Sequence, residues 1–489
     1  MPFSALDEDI IPLILAFCDV RRVLRIGRTC KLLRAVSRKR TVWQALLEDL
    51  AFRCVLHALP EDILHNATTD YLYNEVKRAV CGPDTWLPDS FRPPTVLRTS
   101  IFTFPQVPSS LQFVRLLPGG RYFVLMRDHF LEIWSIRGSH CVWSRDITFS
   151  RGGDLDMQEG GREIVLLMCM TPQTDVLGWD WVLSKFNLEN EDEEILFTHP
   201  PFGFEPLGLP MVSGNLIAVA IRTSNPVLLL IDWRFRKYAA FEATTEMMFA
   251  TLRFYLTPFH LVLVHNSPTP PHGLAVTVYC VSSLPSSCWF PLDDLTMQRV
   301  CFSVAVPLVS KTLSVGGQPV VNAEEVSLGF YQSPLVQGEQ IGKLYVSQTE
   351  TLPPSFWRTI LNRISRRRTT FHPKTTHRAT AFTFVLSPPN PTSSAGGFRI
   401  ISMLAAVSRL ADVAMSLAGY IGLQTASDLS EPGVVVDVQL KRQGVKRKKR
   451  EVPIQSGTSR DNWNIASIAQ TSAAIVWHRD AKLKVVYYR

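Results

Sequence analysis

Two adjacent stretches of sequence decide the fold: LQFVRLLPGGRYFVLM, residues 111–126, and HFLEIWSI, residues 129–136. Their apolar runs are short and are separated by turn residues, which is typical of strands. The Pro-Gly-Gly-Arg turn joins the first two strands, because its glycines readily take positive φ. Trp134 ends the third strand with a large aromatic side chain for the core. These stretches predict an antiparallel sheet of at least three strands.

Weaker copies of the same strand pattern begin at residues 163, 213, 261 and 473. Counted from the first copy at residue 111, the first three spacings are roughly 50 residues. This is the length of one four-stranded blade with its loops. The spacing therefore predicts a mostly antiparallel, all-β propeller, with an undivided set of antiparallel sheets as the alternative. If the last strand, within 473–488, pairs with the chain near 95–135, the ring closes and no sheet edge stays exposed.

The composition limits the class of protein. The chain has 489 residues, of which 46% are hydrophobic and 19% are charged, and this balance excludes bulk disorder, collagen and a long coiled coil. Nine scattered cysteines without a CxxC pair indicate a reducing compartment, so we expect a cytoplasmic or nuclear protein, or both. The segment 399–424 is apolar, but Arg409 and Asp412 in its middle argue against a membrane span. We expect no membrane partner.

The net charge of +8 comes from two windows. Residues 358–378 and 441–450 together hold fourteen Lys and Arg and no acidic residue, so the rest of the chain carries about −6. The second window ends in a possible nuclear-import signal: Lys446, Arg447, Lys448, Lys449 and Arg450. The first has Trp357 beside it and Phe371 within it, as in sequences that contact RNA. A nucleic-acid-associated propeller scaffold is therefore kept as an alternative function.

Catalytic and metal-binding motifs are not found. The sequence lacks HExxH, GxSxG, GxGxxG and a complete GxxxxGK[ST], and its eleven histidines are scattered. The acidic run at 187–194 lacks the glycine turn and ligand spacing of a calcium loop. We expect a non-catalytic protein with no metal and no cofactor.

The first eighty residues have the periodicity of short amphipathic helices, of which three fall in residues 4–50. Asp19 is placed to cap the second helix and Gly27 to end it. Pro12 allows two starts for the first helix. A start at Asp7 would cost up to about 3 kcal/mol, whereas a start near Asp9 would put Pro12 in the first turn, where proline is tolerated.

The N-terminal residues resemble the F-box, a motif that runs Leu-Pro-x-Glu/Asp-Ile-Leu, a Leu-Leu pair, Val/Thr-Cys and a final Trp. Here the matching elements are Leu6-Asp-Glu-Asp-Ile-Ile11, Leu13-Ile-Leu15, Thr29-Cys-Lys31, Leu33 and Trp43, and Asp7 stands where the family has Pro. A second string, LPEDIL at 59–64, lacks the later elements. The remainder resembles the WD-repeat-like propellers of F-box proteins, particularly fungal ones.

This resemblance implies a substrate-recognition subunit of an SCF-type (Skp-cullin-F-box) ubiquitin ligase. The F-box would bind the Skp adaptor, and through it the cullin-RING ligase, while the propeller binds a protein substrate whose identity the sequence does not give. The implied adaptor-binding residues are Leu6, Ile10, Ile14, Leu24, Cys30, Leu33 and Trp43. The packing of an ordinary three-helix core would also make these positions apolar. We favour docking, since so small a unit usually needs a partner.

The predicted fold class is α+β and multidomain, with three segments. Residues 4–50 form the F-box, 51–94 a helical linker, and 95–489 a degenerate propeller with insertions near 352–380 and 390–460. The apolar periodicity at 399–423 predicts a helix within the second insertion.

Overall fold

The computed structural model describes most of the chain. The described residues are 9–56, 61–83, 95–104, 111–127, 130–147, 150–170, 179–199, 205–208, 210–222, 227–242, 253–267, 273–295, 300–303, 305–315, 317–321, 323–351, 375–389, 397–406, 413–415, 420–423, 433–436, 450–453, 464–468, 474–479 and 482–488.

Among the described residues, six α-helices precede the strands, and we call them together the helical module. They are α1 (Ile10–Ala16), α2 (Val20–Ile26), α3 (Lys31–Val36), α4 (Arg40–Phe52), α5 (Glu61–Asn66) and α6 (Thr69–Cys81). The first begins after Asp9, which confirms the later of the two predicted starts and leaves Pro12 in the first turn. Asp19 caps α2 by accepting a hydrogen bond from the Arg22 amide, and Gly27 follows its last residue, both as predicted.

The strands form seven sheets of four or more strands among the described residues, and every pairing in them is antiparallel. We number them as blades in chain order. Blade 1 has β2 (Leu111–Leu116), β3 (Tyr122–Arg127), β4 (Phe130–Ser135) and β5 (His140–Asp146). Blade 2 has β6 (Ser150–Met157), β7 (Glu163–Met170), β8 (Asp180–Asn187) and β9 (Glu193–His199). Blade 3 has β10 (Glu205–Pro206), β11 (Met211–Ser213), β12 (Leu216–Arg222), β13 (Val227–Asp232), β14 (Lys237–Glu242) and β18 (Phe290–Pro291).

The later blades follow the same order. Blade 4 has β15 (Arg253–Leu256), β16 (His260–Asn266), β17 (Leu274–Cys280) and β19 (Val309–Thr312), and is followed by a hairpin of β20 (Ser314–Val315) and β21 (Gln318–Pro319). Blade 5 has β22 (Ala323–Gln332), β23 (Gln340–Thr351), β24 (Thr375–Leu386) and β25 (Phe398–Ala406). Blade 6 has β26 (Val413–Met415), β27 (Tyr420–Leu423), β28 (Gly433–Val436) and β29 (Arg450–Pro453). Blade 7 has β30 (Asn464–Ile468), β31 (Ala474–Arg479), β32 (Lys482–Tyr488) and the N-terminal strand β1 (Val96–Thr103).

The ends of the propeller are joined as the sequence predicts. β1 pairs antiparallel with β32, from Val96 opposite Tyr488 to Thr103 opposite Lys482. The first strand of the propeller thus completes the last blade, which covers the edge that an open sheet would leave.

Neighbouring blades pack face to face through apolar side chains. Shared buried clusters join blade 7 to blade 1 and each blade to the next as far as blade 5; examples are Val485 with Leu125, Val124 with Leu166, Leu167 with Ile217, Leu230 with Leu261, and Val262 with Leu344. Strands buried on both faces show continuous apolar runs, such as residues 216–221 in β12. This serial packing is the arrangement of a β-propeller.

The helix predicted at 399–423 is wrong. The structure has β25, β26 and β27 in that interval, so the segment assigned to an insertion contributes strands to blades 5 and 6. A mostly apolar run of residues matches helical periodicity as well as the pattern of a strand, and sequence alone does not separate the two.

Candidate interaction site

The core of the helical module is built around α4. Its apolar stripe, Trp43, Leu46, Leu47 and Leu50, is buried, and α1 and α6 pack on it. α1 places Ile11 and Leu15 in the same core. One face of α1 is therefore fully used for folding.

The other face of α1 is apolar and exposed. Ile10 is 45% exposed, Leu13 60%, Ile14 38% and Phe17 91%, and Leu24 of α2 adds a further exposed leucine. We call these five residues the apolar face. Isolated exposed leucines are common on protein surfaces, but a group of this kind on a short helix is typical of a surface that binds a protein.

The structure separates the predicted adaptor-binding residues into three groups. Ile10, Ile14, Leu24 and Cys30 are exposed. Leu33 is partly buried against the helical core, and Trp43 is only 4% exposed within it. Leu6 lies outside the described residues. The placement is compatible with a direct contact for the first group, whereas Trp43 supports that surface from beneath.

A groove lies beside the apolar face, between α2–α3 and the start of α6. Its volume is about 840 Å³. Val23 and Trp43 are its buried apolar residues, and Tyr73 packs edge-on against Trp43 with ring centroids 4.8 Å apart. Four of the residues that line it are basic and one is acidic; the basic ones are Arg28, Lys31, Arg34 and Arg38, and the acidic one is Asp70. The groove was not predicted from the sequence, although its basic side is visible there as nine Lys or Arg and no acidic residue between positions 20 and 40.

The helical module is attached to the propeller at the end of α4. Arg53 is buried; it forms a two-pronged ion pair with Asp49, and its Nη1 donates to the Ser333 carbonyl oxygen at 3.0 Å. The Gly160 amide donates to the Phe52 carbonyl oxygen at 2.6 Å, and the Arg21 amide to the Leu335 carbonyl oxygen at 3.0 Å. The module therefore binds the loops between the first and second strands of blades 2 and 5.

These contacts lie beside a cavity among the blades, which we call the channel. The cavity has a volume of about 150 Å³ and is lined by Arg53, Cys54 and Val55 and by residues from the strands at the start of blades 1 to 5. These strands are therefore the innermost strands of their blades. The residues that follow α4 therefore form part of the wall of this cavity.

The channel contains two buried carboxyl groups on β6. Asp154 accepts hydrogen bonds from Arg115 at 3.4 Å and from the Val212 amide at 3.0 Å, and Asp156 accepts one from the Gly214 amide at 2.8 Å. Burial raises the pKa of Asp154, and it raises that of Asp156 to about 6. Both carboxyls bond to backbone amides of blade 3, so their evident role is to join two blades.

The thiol in the wall of the channel is not an activated nucleophile. Cys54 Sγ donates to the Gln158 carbonyl oxygen at 3.4 Å, and burial raises its pKa to about 11. Over the described part of the chain, no three His, Cys, Asp or Glu side chains group as metal ligands. In the same residues no helix is long and apolar enough to cross a membrane.

The basic windows lie almost entirely outside the described residues. Only 375–378, at the start of β24, and Arg450, at the start of β29, are described. The possible import signal at Lys446–Lys449 is thus a prediction from sequence alone.

Comparison with known proteins assigns the chain to no family. No family model matches the chain, and no curated protein matches it. Among solved structures, the β-propeller domain of Cps50 (Swd1) from Myceliophteria thermophila aligns with 10% identity and a TM-score of 0.42, over 81% of this chain and 99% of that one. The WD40 domain of SCAP from fission yeast aligns with 12% identity and a TM-score of 0.40, over 78% of this chain and 85% of that one.

The protein is a β-propeller with a helical module bound to one of its faces. This assignment rests on the sheets of the chain itself, their serial packing and the pairing of β1 with β32.

Proposed function

We propose that the chain is the substrate-recognition subunit of an SCF-type ubiquitin ligase, in which the helical module binds the Skp adaptor and the propeller binds a protein substrate. The apolar face carries this proposal. The short helix α1 buries Ile11 and Leu15 in the core of the module and still exposes Ile10, Leu13 and Ile14, and Phe17 is exposed directly after it. This is more apolar surface than folding of the module requires.

The attachment of the module supports the same function. A receptor of this kind has to hold its substrate at a defined position relative to the ligase. The buried Arg53 contacts and the amide bonds of Gly160 and Arg21 tie the module to two blades at once. An adaptor on the apolar face and a substrate on the propeller would then keep a fixed geometry.

Co-purification of the full chain with the Skp adaptor tests the proposal. We expect the wild type to bind and the double variant Ile14→Asp with Leu24→Asp to lose binding by about a hundredfold, since each buried charge would cost roughly 1–3 kcal/mol at the interface. Ile63→Asp, at an exposed apolar position on α5 outside the apolar face, is the matched control. Wild-type chain that fails to bind the adaptor, or a double variant that binds as well as the control, would contradict the proposal.

The alternative, a nucleic-acid-associated scaffold, depends on the windows 358–378 and 441–450. It predicts RNA affinity that falls steeply with salt and is lost on charge reversal at Arg366, Arg367 and Arg368. No described contact favours it, so the ligase receptor is the function we carry forward.

A further inference from the structure

We propose that the groove between α2–α3 and α6 binds an acidic, amphipathic segment of a protein partner. This inference deepens the proposed function, because Leu24, Cys30 and Trp43 line the groove and also belong to the predicted adaptor-binding set. It specifies the chemistry of the segment that the helical module takes, whichever protein supplies it.

The charge of the groove is strongly one-sided. Arg28, Lys31, Arg34 and Arg38 are all exposed, and within the described residues none of them forms an ion pair with an acidic side chain. Four unpaired cations along one groove repel one another, and this repulsion is relieved when carboxylates bind between them. An acidic ligand therefore has a favourable interaction that the free protein lacks.

The aliphatic part of the lining favours a protein segment over a nucleic acid, whose bases could stack only on Tyr73. Val23 and Trp43 form a buried apolar base, and Tyr73 and Leu24 are about 40% exposed at its edge. A phosphate backbone would leave these side chains uncovered or in contact with charge, whereas an amphipathic segment covers them with its own apolar residues. The adjacent apolar face extends the same surface along α1.

The shape of the groove is fixed by close contacts. Gly27 ends α2, and a Cβ atom built on it would lie 2.5 Å from Ser37 Oγ, so α2 and the end of α3 pack without spare room. The Ser37 hydroxyl donates to the Arg34 carbonyl oxygen at 3.0 Å. A groove held in this way needs little ordering when a ligand binds, which favours affinity.

Asp70 sets the orientation of the ligand. It is the one acidic residue among those described around the groove, and it lies in the first turn of α6, opposite the basic residues of α3. Carboxylates of the ligand are therefore expected along Arg28, Lys31, Arg34 and Arg38, with the uncharged side towards Asp70.

A fluorescent-peptide titration of the full chain tests the proposal. The probe is a short amphipathic peptide with Glu on its polar face and Leu on its apolar face, and its Glu→Gln counterpart is the uncharged reference. We expect the acidic peptide to bind at least about tenfold more tightly than the reference, with affinity falling as salt rises because exposed charges are screened. Equal binding of the two peptides would overturn the proposal.

Matched variants locate the binding. Arg34→Glu should weaken the acidic peptide about tenfold, whereas Arg25→Glu should change its affinity less than twofold. Each residue is the basic one in the last turn of its short helix, but Arg25 does not line the groove. Asp70→Asn should tighten binding several-fold, which loss of folding would not do. Equal effects of the two arginine variants would overturn the proposal, as would a single-stranded oligonucleotide that displaces the peptide with the same dependence on Arg34.

The outcomes separate this proposal from the ligase proposal. If the chain binds the acidic peptide but does not bind the Skp adaptor, the proposal for the groove stands and the ligase proposal is wrong. If Arg34→Glu binds the adaptor as well as the wild type does, and the chain does not prefer the acidic peptide, the ligase proposal stands and the proposal for the groove is wrong.

Discussion

At the scale of single residues, His260 has an environment unlike that of the other buried histidine of blade 4. It is 1% exposed at the start of β16, and both ring nitrogens lack a hydrogen-bond partner among the described residues. His265, on the same strand, bonds through Nδ1 to the Asn266 carbonyl oxygen and through Nε2 to the Thr277 hydroxyl. Burial lowers the pKa of His260 to about 4, because the charged imidazolium would lose its water.

His260 should make the fold less stable in acid. Since its pKa is lower in the folded protein than the ordinary 6.5, the unfolded chain takes up the proton first, and stability is lost as the pH falls from about 6.5 towards 4. His260→Leu should be at least as stable as the wild type at pH 7.5 and gain about 2 kcal/mol relative to it at pH 5. Urea unfolding of both chains at the two pH values measures this difference. Parallel pH dependence in the two proteins would contradict it.

At the scale of elements, the β6–β7 pair shows why one glycine cannot be replaced. A Cβ atom built on Gly153 would lie 2.0 Å from the Leu167 carbonyl oxygen, which is a backbone atom of the neighbouring strand. The two carboxyls that bond to blade 3, Asp154 and Asp156, follow directly on the same strand. A side chain at Gly153 would therefore disturb both the spacing of β6 and β7 and the hydrogen bonds from β6 to blade 3.

Gly153→Ala should destabilise the propeller by about 3 kcal/mol, at the upper end of overpacking costs, because a strand has to move rather than a side chain. Gly208→Ala is the matched control, since no atom lies within 4 Å of its added methyl group, and it should change stability by less than about 0.5 kcal/mol. Chemical unfolding followed by the tryptophan fluorescence of the propeller compares them. Similar midpoints for the two variants would show that the strand pair accommodates the methyl group.

Prediction from sequence succeeded at the elements whose signals are local. Asp19 at a helix start, Gly27 at its end and the Pro-Gly-Gly turn each act within a few residues, and the structure has the corresponding elements. The interval 399–423 has no such local signal, since its mostly apolar sequence fits a helix and a strand equally well. The groove was missed for a different reason: its basic residues come from α2–α3 and Tyr73 from α6, and only folding brings them together.

At the scale of the whole molecule, the end of α4 forms a joint between the helical module and the propeller. Burial of Arg53 is favourable only because Asp49 balances its charge and the Ser333 carbonyl oxygen takes its remaining hydrogen bond. Tyr331 and Ile341 of blade 5 pack into the helical core beside it. The orientation of the apolar face and the groove relative to the propeller thus depends on this buried pair.

Arg53→Met should loosen this joint while each part stays folded. Methionine keeps much of the buried volume but removes the bonds to Asp49 and Ser333, so the module should separate from the propeller more often. Amide hydrogen exchange should rise at least about tenfold at Gly160 and Arg21, whose amides bond across the joint, and stay unchanged in β13. Arg40→Met is the matched control: Arg40 also donates to three backbone carbonyls, those of Leu64, His65 and Ala67, but all lie within the helical module. Equal hydrogen exchange at the Gly160 amide in the two variants would mean that Arg53 does not hold the module in place. Other contacts would then have to fix the position of the adaptor relative to the substrate.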